Sequence, residues 1–371
     1  IVGVSRAAPL PVSFGQKRLW FLEQINPGDV SQNISRAIRI NGDLDYGLLK
    51  QSLDRVVDRH ESLRTIFATT ELKATFDSKP RQLVAERLEI QVQVTDLSGS
   101  PDRETKARAF ARAEAQQPFD IRMGPLLRAS LLTLAEHDHV LLLTLHRIVS
   151  DETSMEVLFR DLWQRYKVHS NQERPELSPL PIQFADYAVW QCNSLDSDLT
   201  KNHTRYWQAK LQGSPAVIDL PTDRPRPAVQ TWRGAVTRLI LNDDLPARVS
   251  ALAKSEDATP ATIFLAVFQI LLCRYSGQHD LVVGNRFENR ELEDLKNLVG
   301  PINGVLPVRT DLSGNPAFRE LLAHIRNVTL EAQSHRALPF EKIVEELQLE
   351  RSLSYAPVFQ VALNVRRFPL S

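Results

Sequence analysis

The sequence predicts a mixed α/β (α+β) protein built in two halves, and three observations carry that expectation. Its 371 residues are enough for two domains of ordinary size. Segments of helical spacing and segments of alternating apolar residues interleave from the start. The stretch 171–181, polar and holding three prolines, reads as a linker and divides the chain near residue 175 into halves 1–175 and 176–371.

Leu49, Leu53, Val56, Val57 and His60 share one helical face, whereas Leu88, Ile90, Val92 and Val94 alternate as a half-buried strand does. A helix follows over 102–117. Two apolar runs, 126–134 and 139–145, are separated by Ala135, Glu136, His137 and Asp138, which predicts a hairpin whose second strand ends at His146. Met155, Leu158, Phe159, Leu162 and Tyr166 then recur at helical spacing, so residues 146–154 form the loop of a strand, loop and helix unit. In the second half, helices are expected over 183–193 and 204–211, with a proline-rich crossing at 220–227. Thr259 and Pro260 supply the cap and first turn of an apolar helix reaching Tyr275. A strand at 281–284 follows, and Phe359, Val361, Leu363 and Val365 alternate near the end. Two comparable mixed halves fit a pseudo-duplicated architecture.

Composition removes several function classes. Forty-five Lys plus Arg balance 45 Asp plus Glu, so the chain lacks the basic excess of a nucleic-acid or anionic-membrane binder. Hydrophobic residues at 43% and charged ones at 24% are those of a folded globular protein. Only Cys192 and Cys273 occur, neither at CxxC or metal-ligand spacing, and no apolar run approaches the ~18 residues that span a bilayer. With no charged leader ahead of an apolar stretch, a reducing, cytoplasmic setting is expected. GxGxxG, GxxxxGK, GxSxG and HExxH are missing, which leaves no warrant for a dinucleotide site, a phosphate loop, a nucleophile elbow or a zinc protease.

The most informative stretch is His146-Arg147-Ile148-Val149-Ser150-Asp151-Glu152. A histidine leaving a strand and a carboxylate five residues on can share the mouth of a cleft. Equally, His146 can be a buried histidine and Asp151 a helix cap.

Several further segments fall in the order and spacing of the condensation domains of nonribosomal peptide synthetases, which the chain resembles over nearly its whole length. Ser13, Gln16, Arg18, Leu19 and Trp20 are similar to that family's SxxQxRLW opening, with Gly15 where Ala is usual. Residues 59–67 match RHExLRTxF, 146–152 resemble HHxxxDG, and 184–190 match the aromatic YxDYAxW segment. Val299, Gly300, Ile302 and Asn303 resemble IGxFVN with Pro301 as a departure; Leu338, Pro339, Phe340 and Glu341 match VPFE, and Arg351, Ser354 and Pro357 fit RDxSxxP. The resemblance implies two chloramphenicol-acetyltransferase-like lobes in a V-shaped pseudo-dimer, with a second lobe that continues beyond the last motif. It also implies a tunnel where carrier-bound phosphopantetheine thioesters meet at the second histidine of HHxxxDG.

Here that histidine is Arg147. An imidazole titrating near 6.5 accepts or orients a proton at neutral pH, whereas a guanidinium has no acceptor atom and stays charged. Arg147 is expected to fill the tunnel and to pair with Asp151 or Glu152. Glu152 replaces a glycine, which removes close backbone approach or relaxes the turn. Asp151 is structural in the family, braced by an arginine for which Arg286 and Arg290 are candidates.

The HRxxxDE version resembles the X domain of glycopeptide-antibiotic synthetases. That implies a catalytically silent platform recruiting cytochrome P-450 monooxygenases to a peptide on the neighbouring peptidyl carrier domain, for aromatic crosslinking. The haem would then belong to the partner and the phosphopantetheine to the carrier. Two alternatives stand beside it: an active amide-forming domain relying on His146, and a vestigial spacer. For docking, Arg160, Arg165 and Lys167 on the helix after the motif, or Arg103, Lys106, Arg108 and Arg112 on the earlier one, supply positive charge that steers a partner or is simply solvated.

Other eye-catching residues have plainer readings. His137-Asp138-His139 spans the expected hairpin turn, where polar residues belong. Arg59, His60, Glu61 and Arg64 end an amphipathic helix, where cations suit the dipole. Tyr187 and Trp190 are expected as core or lobe-interface packing, and both cysteines as core residues.

Overall fold

The computed structural model describes residues 1–69, 79–171, 177–194, 198–242, 244–349 and 352–366. The chain forms two units, Ile1–Leu195 with Glu288–Asn303, and Asp196–Phe287 with Gly304–Ser371.

In the first unit the elements run β1 (Leu10–Pro11), α1 (Phe14–Ile25), β2 (Asn33–Asn41), α2 (Tyr46–Arg59), β3 (Thr65–Ala68), β4 (Arg81–Val84), β5 (Val92–Asp96), α3 (Arg103–Ala115), β6 (Leu127–Ala135), β7 (Asp138–His146), α4 (Glu152–Asn171) and α5 (Phe184–Ser194). A four-stranded sheet has the order β2-β7-β6-β5, antiparallel except for the β5/β6 pair. The polar break at Glu136 and His137 closes the β6/β7 hairpin, as its two apolar runs predict. Leu49, Leu53, Val56 and Val57 of α2 and Met155, Leu158 and Leu162 of α4 bury against Leu131, Leu141, Leu143 and Leu145 of the sheet. Each such side chain contributes about 1.5–3 kcal/mol relative to exposure. Asp45 caps α2 by accepting from the Leu48 N–H at 3.0 Å.

The first segment of this unit runs to Leu195, 20 residues past the expected division near residue 175, so helix α5 belongs to it. Its Asp186 accepts two hydrogen bonds from Arg6, at 2.7 and 3.0 Å, and one from the Val4 N–H at 2.7 Å.

The second unit holds α6 (Asp198–Leu211), α7 (Leu245–Ser255), α8 (Pro260–Ser276), β8 (Asp280–Phe287), β9 (Gly304–Asp311), α9 (Phe318–Ser334), α10 (Phe340–Glu346) and β10 (Ala362–Leu363). Its sheet has the order β10-β8-β9. Thr259 caps α8 by accepting from the Thr262 N–H, and Gly277 at φ +69° ends it in a left-handed turn that a β-carbon would strain. Ile263, Leu265, Ala266 and Leu272 of α8 pack with Leu281, Val283, Val308, Leu321 and Ile325. No single helix among the described residues is long and apolar enough to cross a membrane.

Three local expectations need correction. The alternation from Leu88 marks a strand only from Val92, because Ile90 is buried in irregular chain that pairs with nothing in the ladder. The alternation from Phe359 yields only the two-residue β10, since the Phe359 ring is used instead to pack on Gly284 and Phe340. Helix α6 starts at Asp198, earlier than the expected 204.

Candidate functional site

The loop of interest lies where β7 stops. His146 is the last residue of the strand, registered against Asn33, and its N–H donates to Leu126 at 3.1 Å. The chain then turns through a short 3-10 segment, Arg147–Val149, before α4. Within that turn the Ile148 N–H donates to His146 Nδ1 at 3.1 Å, which occupies that lone pair and puts the ring proton on Nε2. The ring is buried edge-on to Phe119, and Nε2 has no hydrogen-bond partner among the described residues. Burial and the adjacent Arg147 push the imidazole down to about 4.

His146 is therefore neutral at pH 7, with its basic nitrogen committed to the backbone. Between pH 6.5 and 4 the unfolded chain binds a proton that the folded ring refuses, so His146 lowers stability as pH falls through that window. Ring 15N shifts should still show the neutral Nε2–H tautomer at pH 5; an imidazolium signature at pH 6 would contradict this geometry.

Arg147 resolves the choice between two acids in favour of Glu152. Its Nη2 donates to Glu152 Oε1 at 2.8 Å, with the two side chains 27% and 15% exposed. The two residues that depart from HHxxxDG thus engage each other. Glu152 opens α4, where the helix dipole also favours a carboxylate.

Asp151 turns the other way, into the interior, and of the two candidate arginines Arg290 is its partner. Arg290 Nη2 donates to both carboxylate oxygens at 2.9 and 3.0 Å. Oδ1 also accepts from the Ser154 N–H and hydroxyl, both at 2.7 Å, and Oδ2 from the N–H groups of Ile302 and Asn303, both at 3.0 Å. The second guanidinium nitrogen of Arg290 donates to the carbonyls of Leu295 and Leu298. This buried assembly locks 290–303 onto the start of α4, and it leaves Asp151 no free lone pair for proton transfer.

The opening motif supports the same loop. Ser13 and Gln16 form a reciprocal capping box on α1, and Gln16 Nε2 reaches the Ile148 carbonyl at 3.1 Å. Trp20 packs with Phe67, Ile148 and Val149 in one cluster. Sequence reasoning finds this motif but not its role. The signal available is the S-x-x-Q spacing ahead of an apolar run, a helix start with a buried amide.

The remaining candidates are dispersed. Arg59 and His60 both bond the buried Asp161 at 3.0 Å, a residue the sequence reading passes over; burial pushes His60 below the ordinary imidazole range. Arg64 donates to the Ala85 carbonyl and Glu61 pairs with Arg6. Arg160 is half-exposed and tied to Asp161, Lys167 shares its helical face, and Arg165 lies round the helix, half-buried. Between them Trp163, 36% exposed, stacks on Tyr166. Arg103, Lys106, Arg108 and Arg112 are exposed on α3.

Tyr187 is core, but Trp190 is not: its ring is 41% exposed and tilted against Tyr187. Cys192 is half-buried, its thiol pushed up by burial, and Cys273 is half-buried beside His279. His137 pairs with Asp43 across the turn, Asp138 with Arg39, and His139 sits buried in β7 rather than in the turn. No group of three or more metal-ligating side chains is found among the described residues. Arg351 lies outside the described residues, while Ser354 donates to the Pro227 carbonyl.

A comparison of the whole chain with known families matches the condensation domain over residues 7–371. The chain belongs to the condensation-domain family. Among curated relatives of this condensation domain is a linear gramicidin synthase polypeptide of Brevibacillus parabrevis, 44% identical over 370 residues; the match covers 99% of this chain and 7% of that polypeptide. The domain therefore spans a small fraction of the synthases it matches. Among solved structures, the X-domain from teicoplanin biosynthesis is 33% identical with a TM-score of 0.86, over 97% of this chain and 78% of that one. The same X-domain in complex with OxyB matches at 33% identity and a TM-score of 0.84, over 99% and 80% of the two chains. The mixed α/β fold is that of solved condensation domains, and the domain is close in structure to the X-domain.

Proposed function

We propose that this condensation domain has given up amide-bond formation and acts within a nonribosomal peptide synthetase as a docking platform for cytochrome P-450 monooxygenases. The oxygenase would crosslink aromatic side chains of a peptide held on the neighbouring peptidyl carrier domain, as in glycopeptide-antibiotic assembly. One observation carries this reading: the position of the proton-handling histidine holds Arg147, its charge engaged by Glu152 in the place of the motif glycine. A permanent cation beside an attacking amine also disfavours the protonated amine that forms on attack. Likeness to an X-domain solved with OxyB supports the choice of partner. The haem belongs to that partner and the thioester arm to the carrier.

The footprint we assign is the α4 face of Arg160 and Lys167 with Trp163 between them, an arginine and aromatic set of the kind that anchors interfaces, with Arg165 at its margin. A second reading, an active amide-forming domain, is favoured by the higher identity to a linear gramicidin synthase than to the X-domain.

Incubation with loaded donor and acceptor carriers should give no dipeptidyl product above a carrier-only control, while titration with the synthetase's own oxygenases should give saturable binding. Arg160→Glu with Lys167→Glu should weaken that binding at least tenfold. Product that forms with the purified domain and is lost in His146→Ala would establish the second reading. Absence of both product and binding would leave a spacer and defeat the proposal.

A further inference from the structure

We propose that His203 and His335, in the second unit, form a clasp closed by a single bridging proton, which ties α6 to the corner between α9 and α10 and opens when a second proton binds. This goes beyond the docking role and does not depend on it. His203 sits in the second turn of α6, and His335 is the residue that ends α9. Their Nδ1 atoms are 2.9 Å apart with the rings nearly perpendicular, at 84°. At that separation one nitrogen must donate and the other must offer its lone pair. The contact therefore requires one proton between the two atoms. Two imidazoliums present two N–H groups and no lone pair, so the doubly protonated pair cannot keep it.

His335 has little freedom to turn away. The Tyr206 ring stacks on it at 3.8 Å and 3°, and the Trp207 indole N–H donates to its carbonyl at 3.2 Å. Trp207 is itself buried, and its ring meets Tyr206 edge-on. The charged surroundings do little to hold a second proton. On α9 the nearest acid is Glu331, which favours a proton on His335 but is more than half exposed and paired with Lys210 of α6 at 3.3 Å. On α10, Lys342 is balanced by Glu345 and Glu346. Lys201 and Arg205 on α6 and Arg336 after His335 add positive charge. Burial pushes both rings below the ordinary imidazole range, His203 adding to the effect on His335.

The sign follows from proton counting. Below about pH 6.5 each histidine of the unfolded chain binds its extra proton, whereas the closed pair accepts at most one between them. The unfolded or opened form then holds the proton excess, and its equilibrium constant rises by up to tenfold per pH unit for each proton excluded.

The test compares the 371-residue chain with His203→Gln, whose amide turns its nitrogen to a neutral His335 Nδ1 or its oxygen to a protonated one, so His335 gains its proton without opening the contact. Urea denaturation at pH 7.5, 6.5, 5.5 and 5.0 should show the wild-type unfolding constant rising more steeply with acid, by close to tenfold more per pH unit below 6.5. The other histidines, common to both chains, cancel. Ring 15N spectra of the wild type should show two coupled steps, the Nδ1-bridged signature vanishing at the second. Equal pH slopes in both chains, or two rings titrating independently near 6.5, would overturn the clasp. If His203→Gln does not fold, the wild-type ring titration decides alone.

Discussion

Replacing Asp151 by alanine is expected to lower the unfolding free energy by about 4 kcal/mol, enough to leave a marginal domain unfolded. The carboxylate is buried and accepts from Arg290, Ser154, Ile302 and Asn303. Its removal strands a buried guanidinium and three backbone N–H donors at once, and each loss carries the full cost of an unsatisfied group. Equilibrium denaturation with an unchanged denaturant slope is the measurement. Asp151→Leu combined with Arg290→Met should be less damaging than Asp151→Ala alone, because the pair departs together. By contrast, Arg147→Ala should cost no more than about 1 kcal/mol, since its ion pair with Glu152 is partly open to water. An Asp151→Ala chain within about 1 kcal/mol of wild type would remove this acid from its structural role.

That contrast between neighbours shows what a sequence exposes and what it hides. The strand, loop and helix around 146–154 is legible because each element buries one face: two apolar runs with a polar break can only be a hairpin here, and the spacing from Met155 to Tyr166 is helical. The chemistry of Arg147 is legible as well, since a guanidinium lacks an acceptor in any setting. Its partner is not, because Asp151 and Glu152 are both within reach along the chain; the strand-to-helix turn separates them, sending one carboxylate inward and the other to the rim. Arg290 lies 139 residues from Asp151, and periodicity reports only local burial, so nothing local distinguishes it from Arg286. The same limit explains Leu88 to Val94, where alternation records which residues are buried but not whether a neighbouring strand exists to pair with. His203 and His335, 132 residues apart, are less legible still, each a single polar residue at a helix position with no pattern around it.

Gly300→Ala is expected to destabilise the first unit by about 3 kcal/mol, although it adds a single methyl group. A β-carbon there would lie 2.0 Å from Cδ2 and 2.5 Å from Cγ of Phe184, closer than any real contact. Neither side can yield. The Phe184 ring is fully buried among Ile182, Tyr187 and Leu298. The Gly300 backbone is held at both ends, its N–H donating to Ser154 Oγ at 3.0 Å and its carbonyl accepting from Arg290 at 3.3 Å. Retreat of the chain would therefore break the Asp151 assembly, coupling a packing fault to the electrostatic one. Gly15→Ala supplies the opposite case within the same unit: no atom lies within 4 Å of its β-carbon position in α1, so the substitution should add about 0.5–1 kcal/mol through helix propensity. Phe184→Leu placed in the Gly300→Ala background should recover part of the loss while destabilising the wild type on its own. Strict additivity of those two substitutions in a double-mutant cycle would mean that ring and methyl do not meet, and that 298–303 approaches α5 differently from the packing described.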